Sequence, residues 1–157
     1  MANQSLKETP KTQSNPQTQV QGQNQQPKQK TVKLIIKRQD NSESKPYEES
    51  FEIPYKENLN VIACLMEIRR NPVNCKGEKT TPVTWDMNCL EEVCGACSMV
   101  INGRARQSCS AIVDQLEQPI RLEPMSTFPV IRDLQVDRSR MFDNLKRIDR
   151  KSTRLNS

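Results

Sequence analysis

Residues 89–109 read CLEEVCGACSMVINGRARQSC. Cys89, Cys94, Cys97 and Cys109 are separated by four, two and eleven residues. A C-x4-C-x2-C run followed by a later cysteine is the spacing that wraps a plant-type [2Fe–2S] cluster, whose irons are held by thiolates. Gly95 and Ala96 keep side-chain bulk low inside the tight run. Backbone N–H groups can then approach the sulfurs, and such hydrogen bonds help to set a cluster's potential. Gly95 also suits a backbone conformation that other residues adopt poorly. Asn102-Gly103 is a turn signal. It returns the chain so that Cys109 arrives beside the loop as the natural fourth ligand.

Working outward, TVKLIIKR at 31–38 places Val32, Leu34 and Ile36 on one face with Lys33 and Lys37 opposite, a half-buried strand. After a polar turn, Phe51, Ile53 and Tyr55 alternate in a second strand. Pro54 puts that strand at an edge or at its finish. ENLNVIACLMEIRRNP reads as a helix capped by Asn58 or Asn60. Its apolar stripe is Leu59, Ile62, Leu65, Met66 and Ile68, and Pro72 ends it. SMVING, ARQSCSAIV and QPIRLEP supply further strands, and 137–148 a last helix with Met141, Leu145 and Ile148 on one face, Phe142 beside it. Strand, strand, helix, loop, strands fits an α+β domain with a mixed sheet and one crossover helix.

The composition excludes several classes. Nine of the first 30 residues are Gln, with few apolar side chains among them. Such a leader cannot bury enough surface to offset its ordering entropy and is expected to be disordered. It has no signal-peptide core, and no stretch reaches the roughly 20 apolar residues of a membrane span. The formal charge of +5 lies in the two ends: Lys7, Lys11, Lys28 and Lys30 against Glu8, and Arg150, Lys151 and Arg154 against Asp149. The stretch between nets zero, so a nucleic-acid partner is not expected. With no export signal, six cysteines point to metal or redox chemistry and not to disulfides. The absence of His removes His-based acid–base catalysis, Cys/His zinc fingers and Rieske-type ligation.

Other readings of the cysteines stand beside the cluster. Four thiolates also suit zinc, although the usual zinc ribbon has two C-x2-C knuckles and this chain has one. A lone C-x2-C can be a dithiol redox motif, but that calls for a βαβ context, and here the motif precedes a strand. Cys64, among Ile62, Leu65 and Met66, reads as a buried apolar thiol. Cys75 breaks the spacing and reads as a free thiol. Glu91 and Glu92 read as solvated charges on the loop rim. Arg132, Arg138, Arg140, Lys146 and Arg147 read as a solvated face. Trp85, Phe51, Tyr55 and Met66 are core candidates.

The cysteine stretch, followed by PIRLEPMSTFPVIRDLQVDRSRMF, closely resembles the iron–sulfur subunit of succinate dehydrogenase/fumarate reductase. The resemblance covers about 31–148. It implies a ferredoxin-like β-grasp domain at 31–135 whose position-matched [2Fe–2S] ligands are Cys89, Cys94, Cys97 and Cys109, and the start of a C-terminal helical region at 136–148. It implies electron transfer from an FAD-containing flavoprotein subunit toward quinone, near a cytochrome b-type membrane-anchor subunit. The chain would be cytoplasmic and peripheral on the inner face of the cell membrane through those partners, a subunit with no substrate site of its own. Two features depart from the family. Leu90 and Glu92 stand where many members have Arg and Gly. The tail at 149–157 is expected to be unstructured and is unlike the family, whose members continue into a domain binding [4Fe–4S] and [3Fe–4S] clusters. The expectation is a truncated or wrongly joined reading frame after about Ile148, with those ligands absent. A freestanding [2Fe–2S] ferredoxin and a zinc-stabilised interaction domain are the alternatives.

Overall fold

The structure, a computed structural model, describes residues 30–152, with side chains through Ile148. Of the disordered leader expected over 1–30, residues 1–29 lie outside the described residues, as do 153–157 of the unstructured tail expected over 149–157, whereas 149–152 continue the last helix. Strands β1 (Thr31–Arg38) and β2 (Tyr47–Pro54) form an antiparallel hairpin in continuous register from Thr31 opposite Pro54 to Arg38 opposite Tyr47. Helix α1 (Val61–Arg70) follows, then β3 (Ser98–Ile101), β4 (Arg104–Gln107) and β5 (Ile120–Glu123). The sheet order is β2-β1-β5-β3-β4. Only β1 and β5 run parallel, so the sheet is mixed as expected, and the Pro54 strand lies at its edge.

The period-two pattern of β1 sends Val32, Leu34 and Ile36 into the core, where they meet Phe51, Ile53, Met99, Ile101, Ile120 and Leu122. Each fully buried apolar side chain contributes roughly 1.5–3 kcal/mol. Asn60 caps α1, its side chain accepting from Ala63 N at 2.8 Å. Arg69 and Arg70 occupy the last turn, where cations oppose the helix dipole. The apolar stripe differs from the expected one. Val61, Ile62, Cys64, Leu65 and Ile68 are buried, whereas Met66 is 45% exposed. Leu59 precedes the cap and cannot set the helical phase. Counted from Val61, the inward positions are 61, 64, 65 and 68, and Met66 turns outward.

Two further expectations are corrected. The returning strand stops at Gln107, and Cys109 lies in the turn beyond it. Ser108 ends the strand by bonding Cys97 O through both its N–H (3.2 Å) and its hydroxyl (2.8 Å). The last helix, α2, spans Ser139–Ser152, with Asp137 accepting from Ser139 N at 2.9 Å. That N–H holds the Asp137 carboxyl below the usual carboxylate range. Met141, Phe142, Leu145 and Ile148 are exposed. No described helix is long and apolar enough to cross a membrane.

A short hairpin, β6 (Val130–Arg132) and β7 (Gln135–Val136), precedes α2 and was not expected. It is tied to the main sheet by a fully buried ion pair. Arg38 Nε donates to Asp133 Oδ1 at 2.8 Å, Nη1 to Glu49 at 2.5 Å, and Nη2 to both oxygens of Thr81 at 2.9 and 3.0 Å. Asp133 also accepts from Gln39 N and Thr84 N. Burial alone would depress the Arg38 guanidinium, but the hydrogen bond and charge of Asp133 outweigh it and hold the group cationic. Breaking such a pair strands a buried charge. Asp133→Ala is therefore expected to lower the unfolding free energy in urea by roughly 3–5 kcal/mol. Glu48→Ala, which removes the exposed partner of Arg121, is expected to cost under about 1 kcal/mol. Equal losses for the two would contradict the role given to Asp133.

Candidate metal centre

The segment before the cysteines is anchored before it reaches them. Leu134 N donates to Thr84 O, and Gln135 Nε2 to Asp86 Oδ1. From there the chain winds through 89–97 with Leu90, Glu92 and Gly95 in the left-handed region, at φ 62°, 59° and 70°. Gly95 adopts this conformation without strain, as expected. Leu90 and Glu92 do not, since an L side chain there costs about 1–2 kcal/mol.

The payment appears in where the backbone donors point. Cys94 N and Glu91 N aim at Cys89 Sγ, at 3.3 and 3.4 Å. Cys89 N and Ala96 N aim at Cys94 Sγ, at 3.5 and 3.4 Å. Thus Cys89 and Cys94 form one pair in a collar of N–H groups. Cys97 and Cys109 form a second pair, each shifting the other's titration, with Cys97 O held by the two Ser108 bonds. Cys109 feels the charges of Cys97 and Cys89, so the two pairs belong to one site. The pairs differ in setting: Cys97 and Cys109 are buried, Cys94 is exposed and Cys89 half-buried. All four are free thiols.

The N–H groups of Glu91, Cys94 and Val93, with the Cys94 thiol, push Cys89 down to about 7. Burial pushes Cys97 up, but the donors on Cys109 and Ser108 outweigh it and its thiol titrates below the ordinary range. Burial and the Cys97 bond raise Cys109. Cys64 is buried in the core and pushed up to about 12, the inert apolar thiol expected of it. Cys75 is exposed, apart from the site.

This donor set fits an iron–sulfur cluster. Four thiolates in two pairs, with backbone N–H groups directed at sulfur, supply both the ligands and the hydrogen bonds such a group uses. Zinc asks instead for four sulfurs around one ion at about 2.3 Å.

Residues 33–143 match the family described as the 2Fe-2S iron-sulfur cluster binding domain. The chain belongs to that family. It is 78% identical over 120 residues to the succinate dehydrogenase iron-sulfur subunit of Bacillus subtilis (strain 168), covering 76% of this chain and 47% of that one. It is 35% identical over 96 residues to a fumarate reductase iron-sulfur subunit of Mycobacterium tuberculosis, covering 60% and 36%. A chain of the Mycobacterium smegmatis Sdh1 complex in the apo form superposes with a TM-score of 0.60 at 25% identity, covering 75% and 46%. The chain thus spans about half the length of the relatives it matches.

The 2Fe-2S domain contains one contact that sequence reasoning missed. Arg138, expected on a solvated helix face, is half-buried, and its guanidinium donates to Gly95 O at 3.0 Å and Ala96 O at 2.8 Å. No local pattern signals this, because the two segments lie some forty residues apart. In reduced, metal-free protein, alkylation of Cys89 should rise through pH about 7 and level off above it, since the thiolate is the nucleophile. Cys64 should stay unmodified until unfolding. Peptide mass mapping after iodoacetamide pulses checks both, and half-reaction of Cys89 near pH 8.5, the unperturbed thiol value, would contradict the collar's effect.

Proposed function

We propose that this chain is the [2Fe–2S]-bearing part of an electron-transfer iron–sulfur subunit of the succinate dehydrogenase/fumarate reductase class. Its ligands are Cys89, Cys94, Cys97 and Cys109. One observation carries the reading: the C-x4-C-x2-C-x11-C cysteines form two thiol pairs, one of them collared by backbone N–H donors, on a fold shared with that class. The bound group supplies one-electron oxidation and reduction.

The chain's own residues do the rest. Gly95 lets the loop turn without a side chain. Four N–H groups around Cys89 and Cys94 stabilise thiolate charge, and burial of Cys97 and Cys109 keeps water from the inner pair. Leu90 and Val93 stand exposed beside the loop, Val93 at 80%, and suit an apolar partner surface. On this reading the chain accepts electrons from an FAD-containing flavoprotein subunit and passes them toward quinone through the [4Fe–4S] and [3Fe–4S] centres implied for the enzyme. It sits on the inner face of the cell membrane through a cytochrome b-type anchor subunit. The cluster unit runs over 31–135, and 136–148 begins the helical region.

Anaerobically purified or reconstituted full chain should be coloured, hold about two iron and two sulfide, and give an EPR signal on one-electron reduction. Cys109→Ser should lose or alter that spectrum, and Cys64→Ser should keep it. Colourless protein with one zinc and no sulfide would sink the proposal. Co-purification with a flavoprotein separates the subunit from a freestanding ferredoxin.

A further inference from the structure

The Gly95–Ala96 peptide has one end on Arg138 and the other on a cysteine. Its carbonyl oxygen accepts from Arg138 Nη1 at 3.0 Å, and its N–H donates to Cys94 Sγ at 3.4 Å. A trans amide points its C=O and N–H in opposite directions, so the guanidinium pulling on the oxygen aims the hydrogen at the sulfur. On the next peptide, Ala96 O accepts from Nη2 at 2.8 Å. Its N–H belongs to Cys97.

The fork is held firmly. Gly95 O also accepts from Ser98 N (3.1 Å) and Ser98 Oγ (2.8 Å), which fixes the plane that Arg138 grips. Asp137 N bonds Pro129 O, Asp137 Oδ1 takes Ser139 N, and Met141 N bonds Arg138 O, so the backbone carrying the arginine is pinned on both sides. Among the described residues the guanidinium donates to carbonyls and pairs with no carboxylate, and its charge is directed along the two peptides. Hydrogen bonds in series polarise one another, and a cation on the carbonyl makes the amide a stronger donor at its far end.

We propose that Arg138 is a positioning residue that sets the reduction potential and retention of the centre by orienting and polarising the peptides at Gly95–Ala96 and Ala96–Cys97, an inference that rests on the [2Fe–2S] reading above. Stronger N–H···S bonds and a nearby positive charge both favour the added electron, so Arg138 raises the potential.

The test uses the full chain as wild type, Arg138→Gln and Arg138→Lys, each loaded anaerobically. EPR-monitored redox titration and the rate of iron release to a chelator are measured, with thermal unfolding alongside. Arg138→Gln is expected to move the oxidised-to-reduced balance about tenfold toward the oxidised form, 59 mV more negative for one electron. It should also release iron about tenfold faster, the scale typical when a group supporting a metal ligand is removed. Arg138→Lys keeps the charge without the fork, and should recover much of the potential and little of the retention. An unchanged potential in both variants, even with a lower melting temperature, overturns the proposal and leaves the cluster reading intact. A wild-type chain that binds no cluster overturns both. If Arg138→Gln does not fold, the Lys variant decides: iron retention equal to wild type overturns the proposal.

Discussion

Everything around the cysteines hangs on a charge pair removed from water, Arg38 with Asp133. Two ions in a protein interior lose hydration worth several kcal/mol each, and their attraction repays this only if every donor and acceptor is used. Here Arg38 bonds Asp133, Glu49 and Thr81, while Asp133 bonds Arg38, Gln39 N and Thr84 N. These partners come from β1, β2, the segment leading into the cysteine loop, and the β6–β7 hairpin. An apolar pair could fill the same volume but would not specify which strand end meets which turn. The pair fixes that meeting, and with it the distance from the hairpin to the loop.

The consequence travels along the chain. Asp133 sits at the left-handed turn of the hairpin, at φ 49°. Leu134 and Gln135 then bind Thr84 and Asp86 just upstream of Cys89. Three residues later Arg138 grips the far side of the loop at Gly95 and Ala96. The loop is thus held at its entry and behind its second cysteine by one short run, 133–138, whose own place is set by Arg38. A loop with two side-chain-bearing residues at positive φ needs such support, because its local conformation is not the one Leu90 and Glu92 prefer.

These relations explain what could be read from the sequence. Period-two alternation exposed β1 and β2, Asn60 announced the helix cap, and cysteine spacing identified the loop, because each is written in residues close together. Arg38 carried an unused signal: it continues the series 32, 34, 36 by one step and so occupies a core-facing position. A charged residue there requires a buried partner, but nothing local says that the partner lies 95 residues away. The β6–β7 strands are too short to show a period, and Arg138 looks like any cation beside a helix start. Met66 falls outside the buried stripe for a local reason: Leu59 precedes the cap, so the helical phase starts at Val61.

The two thiol pairs end up in unequal surroundings, and the inequality follows from the fold. Cys97 precedes β3 and Cys109 follows β4, so a hairpin of the sheet carries the inner pair into the core, where burial works against charge. Cys89 and Cys94 lie on the loop, where no strand can take their N–H groups, and those groups are left free to serve sulfur. Charge is therefore favoured on Cys89, while burial opposes it on the inner pair and is outweighed by hydrogen-bond donors at Cys97 but not at Cys109. Arg138 acts at the seam between the two pairs, on the peptides that link Gly95 to Cys97. With Leu90 and Val93 exposed on the outer side, the chain turns Cys89 and Cys94 outward and keeps the other two against its own core.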